Sequence, residues 1–94
     1  MHLEYLSLAH NEIEKIEGLT TLKKLLYLDL SENLIAELDT DELPASIAIL
    51  KVRENPIADS PNTRTALILA LPELEDLDGE AISMVTRFEA RGIP

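Results

Sequence analysis

The chain contains no cysteine among its 94 residues. Without thiols there is no disulfide framework, no thiolate nucleophile and no cysteine-ligated zinc. Positive charge is scarce as well: 8 Lys+Arg stand against 18 Asp+Glu, leaving a net charge of −10. The basic residues are dispersed, and Lys23-Lys24 is their only adjacent pair. That balance argues against sequence-independent binding to nucleic acid or to an anionic membrane, since both need a basic footprint. Aromatic residues make up only 3% of the chain, so Leu and Ile must supply most of the burial. There is no glycine-rich phosphate loop, no GxSxG and no HExxH. Two histidines are present, both in the first ten residues, and abundant carboxylates in an acidic chain do not define an acid–base pair. The expectation is therefore not an enzyme, and no cofactor or metal. No apolar run approaches the roughly 20 residues needed to span a bilayer. Met1-His2 leads straight into patterned sequence, so no signal peptide is expected, and the absence of cysteine favours an intracellular, cytoplasmic location.

What is present is a period. Leu25, Leu28, Leu30, Asn33 and Ile35 follow the pattern LxxLxLxxNxI. Leu3, Leu6, Leu8, Asn11 and Ile13 repeat it one period earlier, and Ile47, Leu50, Val52, Asn55 and Ile57 one period later. The asparagines give the spacing directly: 33 − 11 = 22 and 55 − 33 = 22. Self-similarity at this period signals a solenoid of stacked coils. The alternating Leu6 and Leu8, with their counterparts, predict a short strand per coil. Asn11, Asn33 and Asn55 in one register predict a buried ladder, because a carboxamide both donates and accepts and can satisfy backbone groups of adjacent coils.

After each strand the chain must return along the convex side. Ile13, Ile16, Leu19 and Leu22, at steps of three, predict short helical turns there, broken at Gly18. In the second coil Asp41 and Pro44 fall where Leu19 and Leu22 stand in the first, so 39–46 is expected to be rearranged. A helix is expected over 63–71, with Ala66, Leu67, Ala70 and Leu71 as its apolar face. Leu74 and Leu77 then predict a final strand, and 80–91 a helix with Ala81, Val85 and Phe88 on one stripe and Gly92 ending it, either packed over the last coil or beginning a longer partner-binding helix. The whole, 1–94, reads as one domain: coils 3–24 and 25–46, a third coil with its cap over 47–79, and a C-terminal helix over 80–94.

These residues resemble one intracellular class of leucine-rich repeat. The class is typified by the leucine-rich-repeat regulatory subunit of protein phosphatase 1 and the outer-arm dynein leucine-rich light chain. The markers are the 22-residue period, Asn-x-Ile with a further apolar residue at Ile16 or Leu38, and Glu17-Gly18-Leu19. Asn55-Pro56-Ile57 through Leu71-Pro72-x-Leu74-x-x-Leu77-Asp78-Gly79 is similar to that class's C-terminal cap, although Thr63-Arg64 stands where members carry an aromatic or tyrosine–arginine pair. The resemblance implies an α/β solenoid: short parallel strands on the concave face, helical or irregular convex segments, and about three repeats plus the cap. Within the class, Leu28 to Ile35 and Leu43 to Ile47 are most similar to ciliary and flagellar members. Members have further repeats upstream, so the resemblance also implies a piece of a longer array, or another chain covering the edge of the first strand.

Stacked strands place equivalent residues in columns. One column is Tyr5, Tyr27 and Ile49, with Asp76 in the cap; the next is Ser7, Asp29 and Lys51, with Arg53 beyond. Two of the three aromatic residues thus share one solvent-facing register, and tyrosine offers area with a polar tip. The alternative is that tyrosine merely suits a strand. His10, Glu32 and Glu54 form a further column, without the histidine pair or ligand-rich loop that a metal site would need. The expected function is a non-catalytic scaffold that binds a protein partner on the concave face, in a ciliary or axonemal assembly. The alternatives are a regulatory subunit of protein phosphatase 1 and the protein-binding component of a ribonucleoprotein.

Overall fold

The computed structural model describes residues 3–92. A five-stranded sheet runs along the molecule in chain order, β1 to β5. Strands β1 (Tyr5–Ser7), β2 (Tyr27–Asp29), β3 (Ile49–Lys51) and β4 (Asp76–Leu77) are parallel neighbours. Strand β5 (Glu80–Ala81) turns back antiparallel to β4. Helix α1 (Pro61–Ala70) lies between β3 and β4, and helix α2 (Met84–Ala90) follows β5. The three-residue strands are short because only the Leu-x-Leu core of each repeat alternates before the chain turns at the asparagine.

The core is aliphatic and lies between the sheet and the convex return segments. Leu25, Leu28, Leu30, Ile35, Ile47 and Leu50 are fully buried. Leu3, Leu6, Leu8 and Ile13 of the first coil pack against this cluster but stay only half-buried. Each fully buried leucine contributes about 1.5–3 kcal/mol relative to leaving it exposed, so the middle of the stack dominates the stability.

Asn33 and Asn55 form the predicted ladder. The Asn33 Nδ2 donates to the carbonyls of Leu30, Ser31 and Leu8, and its Oδ1 accepts from the Ile13 N–H at 3.0 Å. Asn55 repeats this with Val52, Arg53 and Leu30 as acceptors and the Ile35 N–H as donor. Each carboxamide thus stitches its own coil to the preceding one. Asn11 departs from the expectation: it is exposed and bonds only to Leu8 and Ala9 of its own coil. β1 is the outer strand of the sheet, so Asn11 has no coil on its outer side to stitch among the described residues.

The residue before each asparagine takes a left-handed backbone, with φ of 61° at His10, 56° at Glu32 and 59° at Glu54. No glycine stands there, so each coil carries a modest local strain. The convex side is built from single turns and short 3₁₀ segments. The first coil returns through isolated turns, with Leu22 N–H bonded to Leu19 O and Leu25 N–H to Leu22 O, and no helix forms between 11 and 22. The apolar step of three is met by single turns. The second coil holds one 3₁₀ turn, Thr40–Glu42, capped by Asp39 whose Oδ1 accepts from the Asp41 N–H. A further 3₁₀ turn, Pro56–Asp59, leads into α1.

Helix α1 buries Leu67 and Ile68, with Leu71 just past its end, and leaves Ala66 exposed. The C-terminal segment departs further. Instead of a helix from residue 80, Asp78-Gly79 makes a two-residue hairpin with positive φ at both positions, 53° and 87°. Asp-Gly is a favoured pair for such a turn, and this signal is present in the sequence. Helix α2 does not pack the stripe over the last coil: Val85 and Phe88 are exposed, and Ala81 lies in β5, also exposed. Arg87 seats the helix instead, donating to the carbonyls of Ile68 at 2.9 Å, Leu71 at 3.1 Å and Leu74 at 2.6 Å. Those carbonyls lie at the end of α1 and just beyond it, where a helix leaves acceptors unfilled. Ser83 caps α2 by accepting from the Thr86 N–H.

Candidate partner-binding face

The strand register sets the concave face. Tyr5 stands opposite Tyr27, Tyr27 opposite Ile49, and Ile49 opposite Asp76. Their side chains lie on the face away from Leu6, Leu28, Leu50 and Leu77, because successive strand residues alternate sides. The two tyrosine rings stack with centroids 4.4 Å apart and an interplanar angle of 11°. Strand spacing of about 4.8 Å enforces that stack, since equivalent side chains on adjacent strands lie about one ring separation apart. Tyr5 is 60% exposed, whereas Tyr27 is half-buried between its neighbours. From the adjacent column the Lys51 Nζ reaches to 5.7 Å from the Tyr27 ring centroid, within cation–π range.

The adjacent column is Ser7, Asp29 and Lys51. Asp29 Oδ1 accepts from the Ser31 N–H at 2.9 Å. Burial raises its pKa, but the Ser31 hydroxyl and N–H together with the positive charge of Lys51 and His10 outweigh that and hold it below the usual aspartate value. Asp29 is therefore a carboxylate at neutral pH. Ser7 makes the corresponding turn more weakly, its Oγ accepting from the Ala9 N–H at 3.5 Å.

Arg53 lies at the end of this surface. Its Nη2 donates to the Asp78 carbonyl at 2.7 Å, while Asp78 Oδ1 accepts from the Val52 and Arg53 N–H groups. Arg53 is thus tied to the cap by this bond. Its role as a structural tie was not visible in the sequence, where only its column position could be read. His10 Nδ1 and Glu32 Oε2 are paired at 2.9 Å between the first two coils, both side chains more than half exposed. Glu54, next in that column, makes no ion pair among the described residues. No three metal-ligating side chains converge among the described residues.

A model for two copies of leucine-rich repeats matches residues 2–45. Together with the repeated strand, asparagine and return segment, that match decides the architecture. The chain has the leucine-rich-repeat fold. It is 33% identical over 95 residues to leucine-rich repeat-containing protein 23 of Xenopus tropicalis, an alignment that covers 96% of this chain and 27% of that protein. It is 38% identical over 114 residues to dynein axonemal assembly factor 11 of Trypanosoma brucei brucei, covering 95% of this chain and 30% of that one. The leucine-rich-repeat chain thus spans under a third of the length of these curated relatives.

Among solved structures, the Chaetomium Mex67:Mtr2 subunits match with a TM-score of 0.69 and 28% identity, over 95% of this chain and 60% of that one. A Drosophila melanogaster SNF/U2A' complex matches with a TM-score of 0.61 and 20% identity, over 95% of this chain and 67% of that one. The second likeness is one of fold alone. No helix among the described residues is long and apolar enough to cross a membrane.

Proposed function

We propose that this leucine-rich-repeat chain is a non-catalytic docking module that binds a protein partner on its concave face, within an axonemal assembly. The observation that carries the reading is the stacked Tyr5–Tyr27 pair, open to solvent in the strand register that faces away from the core. An exposed aromatic pair held rigid by its own stacking presents area at little entropic cost, which is what a recognition surface needs. Solenoids of this kind use extended concave surfaces for binding. The axonemal part rests on the likeness to a dynein axonemal assembly factor and on the resemblance of Leu28 to Ile35 and Leu43 to Ile47 to ciliary members of the repeat class.

The test places a photo-crosslinking amino acid at Tyr27 or, as a control, at the exposed convex residue Glu37 in ciliated cells. Capture of an axonemal or dynein-arm protein from position 27, and not from 37, supports the proposal. Capture of a phosphatase catalytic subunit supports the regulatory-subunit reading, and of a ribonucleoprotein component the third. Crosslinking confined to position 37 overturns the concave site.

A further inference from the structure

We infer that the concave face receives a basic polypeptide segment, whose arginine side chains lie along the Tyr5–Tyr27 pair and meet Asp29 and Glu32. The inference rests on the docking reading above and adds the chemistry of the partner.

Charge complementarity fixes the occupant. Asp29, Glu32, Glu54 and Asp76 bring carboxylates to the strands and turns of this face. His10 pairs with Glu32, Lys51 lies over the Tyr27 ring and Arg53 donates to the Asp78 carbonyl, so four carboxylates stand against two fixed positive charges on this face. What the surface offers to an incoming chain is therefore aromatic area flanked by carboxylates.

Lys51 shows how that chemistry is met. Its ammonium lies over the Tyr27 ring and stands beside Asp29, one strand away in register. A cation held against tyrosine with a carboxylate at its flank is the arrangement a partner's arginine would repeat over the exposed Tyr5 ring. Arginine suits it better than lysine, because a planar guanidinium stacks on a ring and forks onto a carboxylate together.

The same charge rejects other occupants. A second copy would bring another net charge of −10 against the face. Nucleic acid and anionic membranes carry that same sign, and like charge opposes their approach.

The experiment uses the full chain and fluorescein-labelled nona-arginine, nona-lysine and nona-glutamate peptides, read by fluorescence anisotropy. Charge-matched triples separate the face from the overall charge: D29N/E32Q/E54Q on the concave side and E14Q/E37Q/E42Q on the convex side. Nona-arginine is expected to bind, to weaken steeply between about 50 and about 300 mM NaCl, and to lose roughly ten-fold in affinity in the concave triple. The convex triple is expected to change it by less than about two-fold. Y5L is expected to weaken nona-arginine more than nona-lysine, with its melting temperature as a check on folding.

Equal weakening by the two triples, or binding of nona-glutamate, overturns the inference. Crosslinking from position 27 to a partner segment that is acidic or neutral also overturns it, while leaving the concave docking site standing. Crosslinking confined to position 37 removes both.

Discussion

The first and second coils carry the same pattern of leucines, asparagine and isoleucine, yet they are not equivalent in the fold. Leu25, Leu28, Leu30 and Ile35 are fully buried, whereas Leu3, Leu6, Leu8 and Ile13 remain half-buried. Strand β2 pairs on both sides, and β1 pairs only with β2. Burial in a solenoid is thus conferred by neighbours, and one sequence has different energetic weight at different places in the stack. The largest expected effect follows. Leu28→Ala should cost about 2–5 kcal/mol in urea titration, as for other fully buried leucines. Leu6→Ala should cost less than half of that. Equal losses would break the comparison, because they would mean that the first coil is as tightly enclosed as the second.

The asparagines sharpen it at a polar position. Asn33 makes four hydrogen bonds, two of them to the preceding coil, while Asn11 makes two, both within its own turn. Asn33→Ala strands the Ile13 N–H, while the three carbonyls keep Asn11, Asn55 and the His10 N–H as donors, and should cost roughly 1–3 kcal/mol. Asn11→Ala should stay within about 0.5 kcal/mol, as surface substitutions do. Thermal unfolding of the two variants side by side distinguishes these outcomes.

The repeated elements were legible in the sequence because the information is periodic. The 22-residue spacing identified the strands, placed Tyr5, Tyr27 and Ile49 in one register, and marked Asn33 and Asn55 as rungs. The uncovered edge of the first strand was expected as well, but its consequence for Asn11 was not read, since Asn11 and Asn33 are the same letter and only the neighbouring coil separates them. The end of the chain was misread for a different reason. Apolar periodicity ranked Val85 and Phe88 as the buried stripe of α2, but that helix is held by a charged side chain reaching distant carbonyls. Such a tie leaves no period. The Asp78-Gly79 hairpin did leave a signal, which was absorbed into the likeness to a family cap.

Arg87 gives the next prediction. Arg87→Met keeps length and removes the donors to Ile68, Leu71 and Leu74. Losing charge-assisted bonds to helix-end carbonyls should cost about 1–3 kcal/mol and release α2 locally. Hydrogen exchange should therefore accelerate in 84–91 while the amides of β2 and β3 keep their protection, a local opening rather than a global one. Uniform acceleration would show that the C-terminal helix and the central coils unfold as one unit.

The smallest expected effect returns to the first two coils and to the position where their sequences differ. Ser7 and Asp29 are register partners and make the same turn, at 3.5 Å from a hydroxyl and at 2.9 Å from a carboxylate. Only Asp29 titrates, and its folded pKa lies below the ordinary aspartate value: burial raises it, and the Ser31 bonds with Lys51 and His10 more than offset that. A lowered folded pKa means that the unfolded chain binds the proton more readily. The contribution is therefore fully present above the unfolded value and is lost as pH falls through the folded one. Asp29→Ser, which gives the second coil the first coil's residue, should leave stability at pH 7 slightly lower. The mutant's deficit should shrink as acid is added, until the two proteins converge below the folded pKa. A deficit that stays constant down to low pH would assign the turn's strength to the shape of the side chain and not to its charge, and the two coils would then differ at this position in geometry alone.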